Sequence, residues 1–284
     1  RWWDHWLKGL DRGIDDDAEY RAYLMDGVRP QTWYNHREGH WIIENDWPEN
    51  IANSTLQFRA DGVLSSLIEE HSALGIKVSS PQDCGIESGE YCAIWLGAEM
   101  PGDQQIDDAK SVYFTSTVLS KKLDIVGAPN IQLSISSDKP AAQIAVRLNH
   151  IHPDGASTRI TYGVFNLAHR NGFDMATPLS PGEVFDVDFS LDQVAYRVPA
   201  GHKIRVSISS SYWPLIWPSP EATCLTIKAG SIDVPLRPSG MSNECHFPHP
   251  ETELPWQTEV IRPASNSRKA IKDMKTGITK IEVV

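Results

Sequence analysis

Side chains with a chemistry of their own fall into four short stretches of this 284-residue chain. The first is GIESGE (85–90). A nucleophilic serine of the α/β-hydrolase kind sits on a strained strand-to-helix elbow, G-x-S-x-G, so that its hydroxyl is presented to substrate. Ser88 is out of register for that motif and lies in a polar stretch, so no catalytic residue is expected. The second is NHIHPDG, where His150 and His152 alternate about Ile151. On a strand both rings face one side, as two zinc ligands would, with Asp154 close by. The same residues also close a strand into a hairpin with Asp154-Gly155 as the turn. Spacing supplies no third or fourth ligand, and no metal site is expected. The third, Cys245, His246 and His249 in CHFPHP, lacks the paired C-x-x-C and H-x-x-H halves of a zinc motif. The fourth is SSSYWPLIWPSPEATC (209–224). If exposed over a sheet, Trp213 and Trp217 are candidates for stacking on a sugar ring. They serve equally as core plugs, with proline ending the strand, and packing is the favoured reading. No cofactor is expected.

The elements that must hold these residues read as strands. HWIIEN (40–45), NIQLSIS (130–136), QIAVRLNHI (143–151), TRITYGVFNL (158–167), EVFDVDFSL (183–191), HKIRVSISS (202–210) and TCLTIKAG (223–230) alternate or run apolar in short lengths. Ile144, Val146 and Leu148 face one way with Arg147 and Asn149 opposite, and Ile204, Val206 and Ile208 repeat the pattern. HPDG, SPG, PAG and ADG supply turns between them. Period two with such punctuation predicts an all-β fold, an antiparallel β-sandwich or jelly roll. Residues 79–108 read as a long polar loop and 235–256 as a second loop. The C-terminus reads as a hairpin about Lys275-Thr276-Gly277, ending on Ile281-Glu282-Val283-Val284 as if a partner strand lay further on.

A short Trp-rich helix precedes the strands. In RWWDHWLKGLDRGI, the residues Trp3, Trp6, Leu7 and Leu10 share one helical face, while Gly9 and Gly13 limit its length. Such a face needs cover, either from the rest of the chain or from a partner.

The net charge of −11, without a basic stripe, argues against a nucleic-acid partner. No apolar run reaches the roughly 20 residues needed to span a bilayer. Four cysteines are too few for a disulfide scaffold. Cys84 and Cys92 could bridge across DCGIESGEYC, but the reduced form is favoured. Compartment is not legible beyond a leaning to the cytoplasm.

Several pieces together resemble one family, the CocE/NonD acyl esterases and their X-Pro dipeptidyl-peptidase relatives. RWWDHWLKGLDRGI is similar to the segment after the family's catalytic histidine. HWIIENDWP, LQFRADGVLS, DQQIDDAKSVYFTSTVLSKKLDIVGAP, RLNHIHPDGASTRITYGVFNLAHR, LSPGEVFDVDFSLDQVAYRVPAGHKIRVSISSSYWPLIWPSP and VIRPAS follow in the family's order. The resemblance implies a galactose-binding-like jelly roll over 36–262. It also implies a helical segment ending an α/β-hydrolase domain, plus a connector, over 1–35, and a C-terminal hairpin, cut short, over 263–284. The family's serine, acid and histidine lie upstream of the matching region, so no catalytic residue carries over. The implied function is the non-catalytic C-terminal portion of a serine hydrolase, inactive alone, shaping the substrate cleft and an interdomain or oligomer interface. The implied partner is an N-terminal α/β-hydrolase domain, met by Trp3, Trp6, Leu7 and Leu10, with a homo-oligomer also open. The competing reading is a carbohydrate-binding module using Trp213 and Trp217.

Overall fold

A computed structural model describes residues 1–44, 51–67, 74–92, 97–238, 247, 252–263, 265 and 267–283. A seven-residue helix, α1 (Trp2–Lys8), opens the chain. It is followed by β1 (Tyr20–Asp26), β2 (Gly39–Glu44), β3 (Ala52–Phe58), β4 (Val63–Ser65) and β5 (Ile76–Val78). An irregular stretch leads to one turn of helix, α2 (Gln105–Asp108). Then come β6 (Val112–Ser116), β7 (Leu123–Gly127), β8 (Asn130–Ser137), β9 (Gln143–Ile151) and β10 (Ser157–Asn166). The remaining strands are β11 (Val184–Ser190), β12 (Val194–Val198), β13 (Lys203–Ser209), β14 (Leu225–Leu236), β15 (Arg268–Lys272) and β16 (Thr279–Val283).

The apolar alternation explains the layering. Ile144, Val146 and Leu148 of β9 and Ile204, Val206 and Ile208 of β13 are buried in one cluster. Ile131, Leu133 and Ile135 of β8 join them there, with Leu225, Ile227, Ile232 and Val234 of β14. Each fully buried side chain of this size contributes about 1.5–3 kcal/mol. Phe58 and Phe114 stack at 4.4 Å within the same core. The strands run in the order β10-β9-β13-β6-β4-β3-β14-β7-β12-β1-β2, with β8 and β5 joining at β14 and β11 at β8. This is the all-β sandwich that the alternation implies. Most pairs are antiparallel, while β1 with β12 and β4 with β6 run parallel.

Residues 20–26, within the stretch assigned by resemblance to the helical segment and connector, are strand β1. Tyr20, Ala22 and Leu24 pack with Ile42, Val126 and Ala195 in a second, smaller cluster. The sheet therefore reaches back to Tyr20. The β9–β10 turn falls at HPDG, where Gly155 takes φ 95°, and the β15–β16 turn uses Gly277 at φ 75°. Cys84, Cys92 and Cys224 are free thiols.

Candidate functional surfaces

Strand β9 has two unlike faces. The residues opposite the core, Arg147 and Asn149, join Arg205, Ser207 and Ser209 of β13 beneath the segment formed by residues 79–92 and 97–111. That segment, polar in sequence, is not a free loop: Cys84, Ser88, Asp107 and Asp108 are all buried. Asp108 accepts from Ser207 Oγ at 2.7 Å, Asn149 Nδ2 at 2.9 Å, Ser157 Oγ at 3.0 Å and Arg205 at 3.1 Å. Asp107 accepts from the backbone N–H of Gly85 at 2.8 Å and of Glu87 at 3.0 Å. Between them lies Arg147, wholly buried, 3.4 Å from Asp108 and 3.8 Å from Asp107. It donates to Ser111 Oγ at 2.7 Å and lies 5.5 Å from the centre of the Tyr212 ring. Burial pushes the Asp107 carboxyl above its usual range, against the pull of Arg147 and the two N–H donors. Ser88 is sealed in this layer with its hydroxyl donating to the Gly89 carbonyl at 3.3 Å. Such a hydroxyl is not presented to a substrate.

Helix α1 is the inverse. None of its residues is buried, and Trp3 and Leu7 are 67% and 74% exposed, with Trp2, Trp6 and Leu10 also open. Gly9 takes the left-handed conformation at φ 63° and ends the helix, so Leu10 lies just past it. Charge pairs hold the segment: Arg1 with Asp17 at 2.7 Å, Lys8 with Asp4 at 2.5 Å, Arg12 with Asp4 at 3.3 Å and Arg21 of β1 with Asp17 at 2.8 Å. A second apolar tract, Leu254, Trp256, Val260 and Ile261, is exposed in the irregular stretch before β15.

Trp213 and Trp217 do not share an environment. Trp213 is half-buried and lines a cleft of about 470 Å³ with Pro81, Asp83, Pro218, Lys272 and Ile278. Trp217 is 84% exposed. Asp83 clasps the C-terminal hairpin here, accepting from Lys272 Nζ and Thr279 Oγ1, each at 3.0 Å. Cys245, His246 and His249 lie outside the described residues.

His150 and His152 do come together, and His202 joins them. Register places β13 against β9 with Ile204 opposite His150, so His202 falls level with His152. The three rings continue the apolar stripes of both strands at the end of the sandwich. One ligand-capable atom from each lies within 4.8 Å of the others. His150 Nε2 is 2.6 Å from His202 Nδ1, and His150 Nδ1 is 2.9 Å from Tyr196 Oη of β12. A Cβ on Gly27 would come within 2.8 Å of His150 Cε1, so the ring needs glycine there. Burial, with His152 and His202 nearby, lowers the His150 pKa to about 3. Burial lowers those of His152 and His202 too. Sequence spacing missed His202 because it is fifty residues from its partners and only strand pairing brings it in. The buried Arg147–Asp107–Asp108 layer was missed for the same reason.

Comparison with known proteins adds the family. The domain described as the X-Pro dipeptidyl-peptidase C-terminal non-catalytic domain matches residues 12–259. A cocaine esterase of Rhodococcus sp. is 25% identical over 189 residues, covering 61% of this chain and 32% of that protein. The chain spans about a third of the length of the curated relatives it matches. Among solved structures, an aminopeptidase from a marine sediment Thaumarchaeota archaeon superposes with TM-score 0.63 at 19% identity. That match covers 84% of this chain and 43% of the other. An α-amino acid ester hydrolase superposes with TM-score 0.60 at 19% identity over 70% of this chain and 40% of the other. Both show the same fold.

Proposed function

The chain belongs to the family of X-Pro dipeptidyl-peptidase C-terminal non-catalytic domains, and from that premise we propose that it is the accessory module of a serine hydrolase acting on acyl esters or X-Pro amides. The observation that carries this is the uncovered face of α1. Trp2, Trp3, Trp6 and Leu7 present apolar surface that soluble proteins seldom leave open unless it is a contact site. A catalytic domain preceding the module, of the length by which the relatives exceed it, is the cover. In that enzyme the chemistry is covalent acyl transfer. A serine upstream attacks the carbonyl, a histidine moves the proton, and backbone N–H groups hold the oxyanion. The module supplies no reacting group. Its part is to hold α1 in place and to give the catalytic domain a rigid wall against which the substrate cleft is shaped.

The test is covalent labelling. The module alone, treated with a fluorophosphonate and weighed intact, is expected to gain no adduct, while the parent enzyme gains one on a serine outside residues 1–284. A stoichiometric adduct on the module overturns the reading.

A further inference from the structure

We infer that His150, His152 and His202 form a binding site for one divalent transition-metal ion of the zinc class, held through His150 Nε2, His152 Nδ1 and His202 Nδ1, with solvent as the fourth ligand. Three imidazoles and an open position suit zinc, nickel or copper.

The argument rests on where the protons must lie. Thr158 Oγ1 donates to the Val28 carbonyl at 2.8 Å, so its proton is spent. His152 Nε2 lies 3.1 Å from the same carbonyl and 3.0 Å from Thr158 Oγ1. Both neighbours of Nε2 are therefore acceptors, and Nε2 carries the proton. That leaves His152 Nδ1 with its lone pair bare, the form a ligand requires. A histidine whose second nitrogen is anchored to a backbone carbonyl is also the usual arrangement around a protein-bound metal. Tyr196 Oη plays the same part for His150. In the ion-bound form His150 donates from Nδ1 to it, which turns the Nε2 lone pair toward His202.

The facing pair His150 Nε2 and His202 Nδ1 is at 2.6 Å, where a single proton separates two nitrogens and an ion would replace it. Beside the cluster Asp154 is paired with Arg29 at 2.5 Å, so a carboxylate and a guanidinium both face His152.

The fit is not ready-made. The His150 and His152 rings stack at 4.1 Å with a tilt of 28°, whereas tetrahedral zinc at about 2.0–2.1 Å needs nitrogens about 3.4 Å apart. The 2.6 Å pair must open, the widest pair, within 4.8 Å, must close by up to about 1.4 Å, and the stacked rings must tilt further. His202, just before β13, is the least buried of the three rings. This rearrangement places the expected affinity in the micromolar range rather than the nanomolar.

The experiment is calorimetric titration of the tag-free protein with Zn²⁺, repeated with Co²⁺ while recording its visible spectrum. One ion per chain, with tetrahedral Co²⁺ absorption and affinity weakened more than about tenfold in both His202→Ala and His152→Ala, is the expected result. If His202→Ala lowers the melting temperature, His202→Gln is read instead. No measurable heat with Zn²⁺, or binding that survives unchanged in the His202 variant, overturns the inference.

Discussion

Arg147 and Trp3 occupy places opposite to those their side chains would choose in isolation. The guanidinium has no exposed surface, while the indole is 67% exposed. Partners account for both. Arg147 is closed in by the carboxylates of Asp107 and Asp108, the hydroxyl of Ser111 and the ring of Tyr212, and Asp107 and Asp108 in turn anchor the backbone and side chains around them. Trp3 has no such company. Its helix is held by charge pairs at the surface, which are worth little individually. One region is closed within the chain and the other lies open to solvent, so their responses to mutation should differ sharply.

The largest effect is expected where the closed region is opened. Arg147→Ala leaves Asp107 buried without its guanidinium and Asp108 with Arg205 alone, which costs about 3–5 kcal/mol in urea unfolding. A loss below about 1 kcal/mol would mean the layer is not closed and the contrast fails. Acid should act next, through the imidazole cluster at the end of the sandwich. The folded pKa of His150, about 3, lies below the ordinary value of 6.5, so the unfolded chain takes up the proton first. Stability from this group is complete above pH 6.5 and is lost as pH falls toward 3, at up to about 1.4 kcal/mol per unit. The slope of unfolding free energy against pH in that range should flatten in His150→Gln, and an unchanged slope would assign it to other groups.

Smaller effects sharpen the boundary between the regions. Asp83 carries the clasp on the C-terminal hairpin, and its carboxyl is held below the usual range by Lys272, Thr279 and Lys110 despite partial burial. Asp83→Ala should cost about 1 kcal/mol and open residues 268–283 to limited proteolysis. Equal protease resistance would mean that the hairpin is held by other contacts, the Arg268–Glu90 pair among them. The smallest effect belongs to the open face. Trp3→Glu with Trp6→Glu should change the module's unfolding free energy by less than about 0.5 kcal/mol while raising its solubility. A drop of several kcal/mol would show the rings packed within this chain.

What was legible in the sequence follows from distance along the chain. Strands β9, β10 and β13 each carry their own alternation, so Ile144, Val146, Leu148, Ile204, Val206 and Ile208 could be assigned to a core without knowing their neighbours. The face of α1 was legible for the same reason, since Trp3, Trp6 and Leu7 are neighbours on one turn. The sites that depend on pairing were not. His202 meets His152 only through the register of β13 on β9, and Asp108 meets Ser207 across ninety-nine residues. Segment 79–111 has turn chemistry and no periodicity, so nothing local shows that Cys84, Ser88, Asp107 and Asp108 are buried. Trp213 and Trp217 look alike in sequence, and they part in the fold: the first lines the cleft beside the C-terminal hairpin and the second stands in solvent.

Hydrogen exchange read at residues 2–10 bears most directly on the central claim that α1 is completed by a catalytic domain. In the isolated module these amides should exchange within seconds, since no tertiary packing protects them. In the parent enzyme they should be protected by orders of magnitude, while the amides of β9 and β13 are slow in both. Equal exchange of α1 in module and enzyme would show that the tryptophan face docks on nothing there and would contradict the account.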